Sequence, residues 1–170
     1  MKTIKVLSLF LIFSVFHSCC SLFSDCDDIE DPVFSQYEPI HMDRNSFENS
    51  ILLKNPISII NSGKIYIHGD LLFINDINKG FHIYDNSDPT APIAIRFLEV
   101  PGSTDLAIRE SIIYINQATD LIAIQYNKQN HDFFLTKRIT NTFPELLSPD
   151  GYYATNIPNT NVVVDWKLIN

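Results

Sequence analysis

Apolar and polar positions along this chain change their period three times. Val6 to Phe16 is one unbroken apolar run behind Lys2 and Lys5. Residues 20 to 40 then carry no sustained period, and Asn45-Ser46-Phe47-Glu48 has the spacing of a helix start with a capping box. Pro56 forbids a long continuation, so the expectation is a short helix near Ser46 to Leu53. From Ile57 onward Ile, Val, Tyr and Phe dominate, in short runs broken by turn residues about every eight to twelve positions, which is the pattern of an all-β chain. Lys64 to His68 and Leu71 to Asn75 read as a hairpin around Gly69-Asp70, and Gly80 to Asp85 as a third strand. The turn residues Asn86-Ser87-Asp88-Pro89 precede a fourth strand, Ile93 to Val100, and Val162 to Leu168 forms a last apolar strand.

The four-strand unit recurs. At an offset of 41, Ile67 corresponds to Ile108, Phe73 to Tyr114, Ile74-Asn75 to Ile115-Asn116, Ile83 to Ile124, Asn86 to Asn127 and Arg96 to Lys137. Four strands repeating every ~40–45 residues is the period of β-propeller blades. The fold expected is therefore mainly β, with antiparallel propeller-like repeats of about two blades. The first repeat covers 63–101 and the second 102–141, with a lead-in segment at 41–62 and a C-terminal loop and closing strand at 142–170. Propellers close with roughly four to eight blades, so two leave edges and faces to be covered. A truncated frame, a two-blade unit that pairs with copies of itself or with a partner, and a small β-sandwich are the three resolutions.

The leader changes where such a fold would sit. Residues 1–18 read as an export signal, too short in apolar residues to span a bilayer, and no later stretch approaches the ~20 that spanning requires. Phe16-His17-Ser18-Cys19 resembles the lipobox of bacterial lipoproteins, in which a small residue precedes the cysteine that is acylated. The resemblance implies cleavage before Cys19 and lipid, palmitate among it, on that cysteine. Cys20 is the competing site, and an ordinary cleaved signal is the plainer alternative. Two or more acyl chains hold a protein stably where one does so only marginally. The expected partner is then a cell or outer membrane, gripped through the anchor, with the domain facing the periplasm or cell surface. The stretch 19–40 carries Asp25, Asp27, Asp28, Glu30 and Asp31 and reads as an acidic, solvated tether. Its acidic cluster is similar to surface-export signals of some outer-membrane lipoproteins.

A wider resemblance rests on Gly63-Lys64-Ile65-Tyr66-Ile67-His68-Gly69-Asp70 followed by Asn78-Lys79-Gly80-Phe81-His82-Ile83-Tyr84-Asp85-Asn86-Ser87-Asp88-Pro89. These segments resemble the LVIVD-repeat family of bacterial lipoproteins, with the naming motif near Phe81 to Asp85. In the second unit Leu121-Ile122-Ala123-Ile124-Gln125-Tyr126 departs from the motif at Gln125 and Tyr126. His41-Met42-Asp43-Arg44, Phe47-Glu48-Asn49-Ser50, Phe143-Pro144 and Val163-Val164-Asp165-Trp166 are similar to flanking segments. The resemblance spans about residues 37–170 and implies a propeller-type fold on a lipid anchor, with no reaction attached.

Charge and chemistry narrow the function further. The chain has a net charge of −8, and losing residues 1–18 removes two lysines and no acid. Nucleic acid, which demands clustered Lys and Arg, is excluded as an expected partner. Cys19, Cys20 and Cys26 are the only cysteines, so the body carries no disulfide and no thiolate metal site. The glycines at 63, 69, 80, 102 and 151 are isolated, which leaves no phosphate loop or dinucleotide fingerprint, and no cofactor is expected. His41, His68, His82 and His131 lack zinc-site spacing; His68 and His82, on adjacent expected strands, are the one pair to watch, against ordinary strand positions. Asp70, Asp76 and Asp85 fall at strand ends where calcium or, more simply, Asx turns would use them. No nucleophile elbow supports an enzyme, so no catalytic residue and no metal residue is assigned. Tyr37, Tyr152, Tyr153 and Trp166 suit a protein or glycan contact, while Trp166 in an apolar strand is more simply a core residue. The function expected is a membrane-anchored binding or scaffolding module, with self-association through open blade edges. The rivals are an enzyme acting on extracellular polymers and a truncated remnant of a longer repeat protein.

Overall fold

The computed structural model describes residues 35–127, 130 and 132–169. The export signal, Cys19 and the tether up to residue 34 lie outside the described residues, as does His131. Among the described residues, eleven strands and one helix follow in order: β1 Tyr37–Asp43, α1 Arg44–Glu48, β2 Leu52–Lys54, β3 Ser62–His68, β4 Leu71–Asp76, β5 Gly80–Asp85, β6 Ile93–Glu99, β7 Leu106–Arg109, β8 Ile112–Gln117, β9 Asp120–Asn127, β10 Asp132–Ile139 and β11 Asn161–Leu168. They form three antiparallel sheets, none closed on itself: a first sheet ordered β2-β6-β5-β4-β3, a second ordered β10-β9-β8-β7, and the ribbon β1-β11.

Two local expectations need correction. Tyr37 to Ile40, expected within the tether, is strand, because Trp166 and its neighbours supply a pairing partner far along the chain: Pro39 faces Trp166 and Ile40 faces Asp165. The short helix runs Arg44–Glu48 rather than Ser46 to Leu53. Asp43 caps it, with extended backbone and a carboxylate accepting from the Ser46 amide, while Glu48 turns to Arg44 Nε at 2.6 Å. Leu52 and Leu53, expected at the end of that helix, belong instead with Lys54 to β2, which extends the first sheet against Phe97 to Glu99.

The four-strand unit does recur, but its register is not uniform. β4 and β8 correspond at 41, as do β6 and β10, which each leave one bulged residue unpaired, Ile95 and Thr136. β5 and β9 correspond at 40. Phe73 pairs with Ile83 whereas Tyr114 pairs with Ala123, so Ile83 corresponds to Ala123 and not to Ile124. The cause is the hairpin: Ile77, Asn78 and Lys79 separate Asp76 from Gly80, but Ala118 and Thr119 alone separate Gln117 from Asp120. Likewise the Asn86 amide bonds Asp70 O and the Tyr126 amide bonds Ser111 O, which pairs Asn86 with Tyr126 rather than Asn127.

A one-residue slip carries a strand's side chains to the opposite face. With the register corrected, Leu71, Phe73, Phe81, Ile83 and Leu98 of the first sheet correspond to Ile112, Tyr114, Leu121, Ala123 and Ile139 of the second. The former are buried in the main core; the latter are outside it. The second sheet fills that core with Leu106, Ile113, Ile115, Ile122 and Ile124, whose first-sheet counterparts are Ile65, Leu72, Ile74, His82 and Tyr84. The two sheets thus pack through unlike faces. Each buried Phe, Ile or Leu in that core contributes about 1.5–3 kcal/mol.

Candidate binding cleft between the two sheets

The two sheets part at one end, where the turns β3–β4 and β7–β8 meet the end of β5. Leu71, Phe73, Ile108 and Ile113 line the resulting cleft of ≈ 280 Å³ together with His68, Asp70, Asp85, Ser87, Glu110 and Tyr126. Gly69 and Glu110, equivalent turn residues, share the left-handed backbone, at φ 57 in both. Glycine adopts it freely, whereas glutamate holds it against the steric preference of an L-residue. The structure therefore stores a small strain at the rim of the cleft. Asp85 Oδ1 accepts from the Ser87 amide at 2.9 Å and from the Ser87 hydroxyl at 2.6 Å, an Asx turn that fixes the chain leaving β5. Burial, and then the negative charge of Asp85, push the Tyr126 phenol up from its ordinary value. An apolar floor with a few polar groups at the rim is the usual composition of a ligand site.

Of the residues singled out from sequence, His68, Asp70 and Asp85 share this cleft. Asp76 and His82 do not. The pair His68 and His82 is separated by β4 and by register, since His68 faces Leu71 while His82 faces Ile74. His82 is buried against the Phe97 ring, 4.7 Å between centroids, and its Nε2 lies 3.1 Å from Asp76 Oδ2. Asp76 also accepts the Ile60 and Asn61 amides at 2.9 Å each. Burial alone raises its pKa, but those amides and His82 outweigh it and hold the carboxyl below the ordinary value. This group pins the 60–61 backbone onto the far end of the first sheet. The three aspartates expected at calcium-type positions therefore do not converge, and among the described residues no group of three or more His, Cys, Asp or Glu is placed to hold a metal ion.

The aromatics divide as well. Tyr153 and Tyr152 are exposed and Tyr37 is half-buried. Trp166, expected to close the core, belongs to neither core cluster; it is half-buried and its indole N–H donates to Leu146 O at 3.1 Å.

Sequence reasoning missed a heavily bonded, buried charged group. Asp120 is fully buried and receives both arms of the Arg44 guanidinium, at 3.1 and 2.5 Å, Arg138 Nη1 at 2.8 Å and the Asn141 amide at 3.1 Å. Burial raises its pKa, and the two arginines and the Asn141 amide more than reverse that, leaving it lowered. Both guanidinium groups sit over the Phe47 ring, at 5.4 and 5.5 Å. The cluster clamps α1 to the second sheet. Only the mixed charges of Arg44, Asp120 and Arg138 hinted at it, and nothing local pairs residues so far apart.

Comparison with family models, with curated proteins and with solved structures returns no match.

Proposed function

We propose that this protein is a lipid-anchored, extracytoplasmic binding module whose two four-stranded repeats stand as neighbouring propeller-type blades. The observation that carries the blade reading is the unlike-face packing: in a propeller each blade lays one face on the opposite face of the next, as the first sheet does on the second. The resemblance of Gly63 to Pro89 to LVIVD repeats supports the same reading. The cleft between the sheets is the position at which such a module would take a protein or glycan ligand, with the apolar floor binding and His68, Asp70, Asp85 and Glu110 orienting. Phe16-His17-Ser18-Cys19 supports the anchor, and the acidic stretch after it the tether.

Intact mass of the membrane-associated protein from a bacterial host, beside a Cys19→Ser variant, tests the anchor. Cleavage before Cys19 with added acyl chains, lost in the variant, is the expected result. An unacylated species cut elsewhere overturns it. Binding is tested by challenging the extracted protein with envelope polysaccharide, where Asp85→Lys is expected to abolish retention.

An enzyme acting on extracellular polymers has one observation in its favour, the gathering of His68, Asp70, Asp85 and Glu110 in one cleft. Release of reducing ends from the same polysaccharide, lost in Asp70→Asn and Asp85→Asn, would establish it in place of simple binding.

A further inference from the structure

The packing of the two repeats is itself a template for a contact that the chain does not complete. The second sheet turns outward the face that the first sheet buries: Ile112, Tyr114, Leu121, Ala123 and Ile139 stand where Leu71, Phe73, Phe81, Ile83 and Leu98 stand one repeat earlier. A shallow groove of ≈ 290 Å³ runs over those five residues. The first sheet turns outward, along β3, the face that the second buries, whereas at His82 and Phe97 the same face is covered. On β3 Ile65 is 62 % exposed and Ile67 68 %, while their counterparts Leu106 and Ile108 are buried and half-buried beside the core. Single exposed apolar residues are ordinary, but two sheet faces built from the residues of an existing interface are not.

We infer that a second copy of this chain docks head to tail, its Ile65, Ile67, Leu72 and Tyr84 face seated on the Ile112, Tyr114, Leu121, Ala123 and Ile139 face of the first. The inference rests on the reading of the sheets as blades. The occupant follows from continuity with the interface inside the chain: the docking face offered by one copy is the counterpart of the face that the receiving sheet's own predecessor accepts. No foreign surface is required to have that match. Such a contact is heterologous, so it generates a ring if the rotation closes. With two repeats per chain, two, three or four copies supply the ~4–8 blades at which propellers close. The contact is made by faces, not by the open strand edges that the repeat pattern alone suggested.

A mixing experiment on full-length protein extracted in detergent tests this. The wild type is expected to have the mass of a discrete small oligomer by light scattering corrected for detergent. Ile67→Lys and Tyr114→Lys each spoil one face, at a side chain already exposed, and each is expected to fall to monomer with an unchanged circular dichroism spectrum. Mixed together, the two variants are expected to recover a dimer, because each retains the face the other lacks. A monomeric wild type overturns the inference. So does either variant that remains oligomeric, as like-face docking predicts for the one whose docking face is intact, and so does a mixture that stays monomeric. Should Tyr114→Lys melt early, Ile139→Lys on the same face, exposed at 51 %, replaces it. Lipid on Cys19 is read by mass whatever the association, so failure of docking and failure of the anchor are told apart.

Discussion

Tyr114 occupies in the second sheet the position that Phe73 occupies in the first, yet Phe73 is 1 % exposed and Tyr114 37 %. Equivalent backbone positions with opposite burial follow from stacking through unlike faces, and they make the outer faces predictable from the inner one.

The clamp on Asp120 should dominate mutational sensitivity outside the core. Removing one partner of a buried ion pair leaves an uncompensated charge and costs about 3–5 kcal/mol. Arg44 is partly exposed, so Arg44→Ala is expected near the lower end, about 3 kcal/mol, and Asp120→Ala, which strands two arginines, near the upper. Urea unfolding followed by tryptophan fluorescence measures both.

Acid should weaken the fold through the same group. Asp120 and Asp76 have folded pKa values below their ordinary 3.8, so each binds its proton more weakly folded than unfolded. Their stabilisation is fully present above the unfolded value and is lost as pH falls through the lowered folded one. The urea midpoint is expected to hold between about pH 7 and 5 and to drop below about pH 4. In Asp120→Asn the midpoint is lower at neutral pH but falls less steeply with acid.

Gly80 should tolerate no side chain. Its φ is 149, and a Cβ there would lie 2.1 Å from Leu98 O. Gly80→Ala is expected to cost about 2–3 kcal/mol, through strain and displacement of β6. Equilibrium unfolding reads this directly, and an unchanged midpoint would contradict the close approach of β5 to β6.

The opposite sign is expected at Glu110. Its left-handed backbone costs a non-glycine residue about 1–2 kcal/mol, so Glu110→Gly should stabilise by up to about 1 kcal/mol after the added freedom of the unfolded chain is subtracted. Glu110 also lines the cleft, so the variant is expected to hold envelope polysaccharide less well, and a retention assay beside the melt reads that loss apart from the gain in stability.

Strands β3 to β6 were legible because Lys64 to Val100 is made of short runs rich in Ile, Tyr and Phe, punctuated by Gly69-Asp70 and Asn86 to Pro89, signals that are local. The repeat was legible for the same reason, but its register was not. Apolar residues at both Ala123 and Ile124 satisfy either offset, and only the shorter turn at Ala118-Thr119 decides between them. β1 was hidden because its partner β11 lies at the other end of the described chain and Tyr37 to Ile40 follows an acidic stretch. Asp70, Asp85 and His68 could be singled out as strand-end residues. That they share a cleft, while Asp76 turns to His82, depends on which end of β4 each occupies and on the packing of two sheets.

The most direct test of the unlike-face account is a cross-link. Ile67→Cys and Tyr114→Cys in one chain place thiols on opposite outer faces of the two-sheet stack, so a short bismaleimide can join them only between copies. The account predicts a covalent ladder ending at a ring of two to four chains, absent from the parent protein with Cys19, Cys20 and Cys26 alone. A product that stays at the mass of one chain would contradict it.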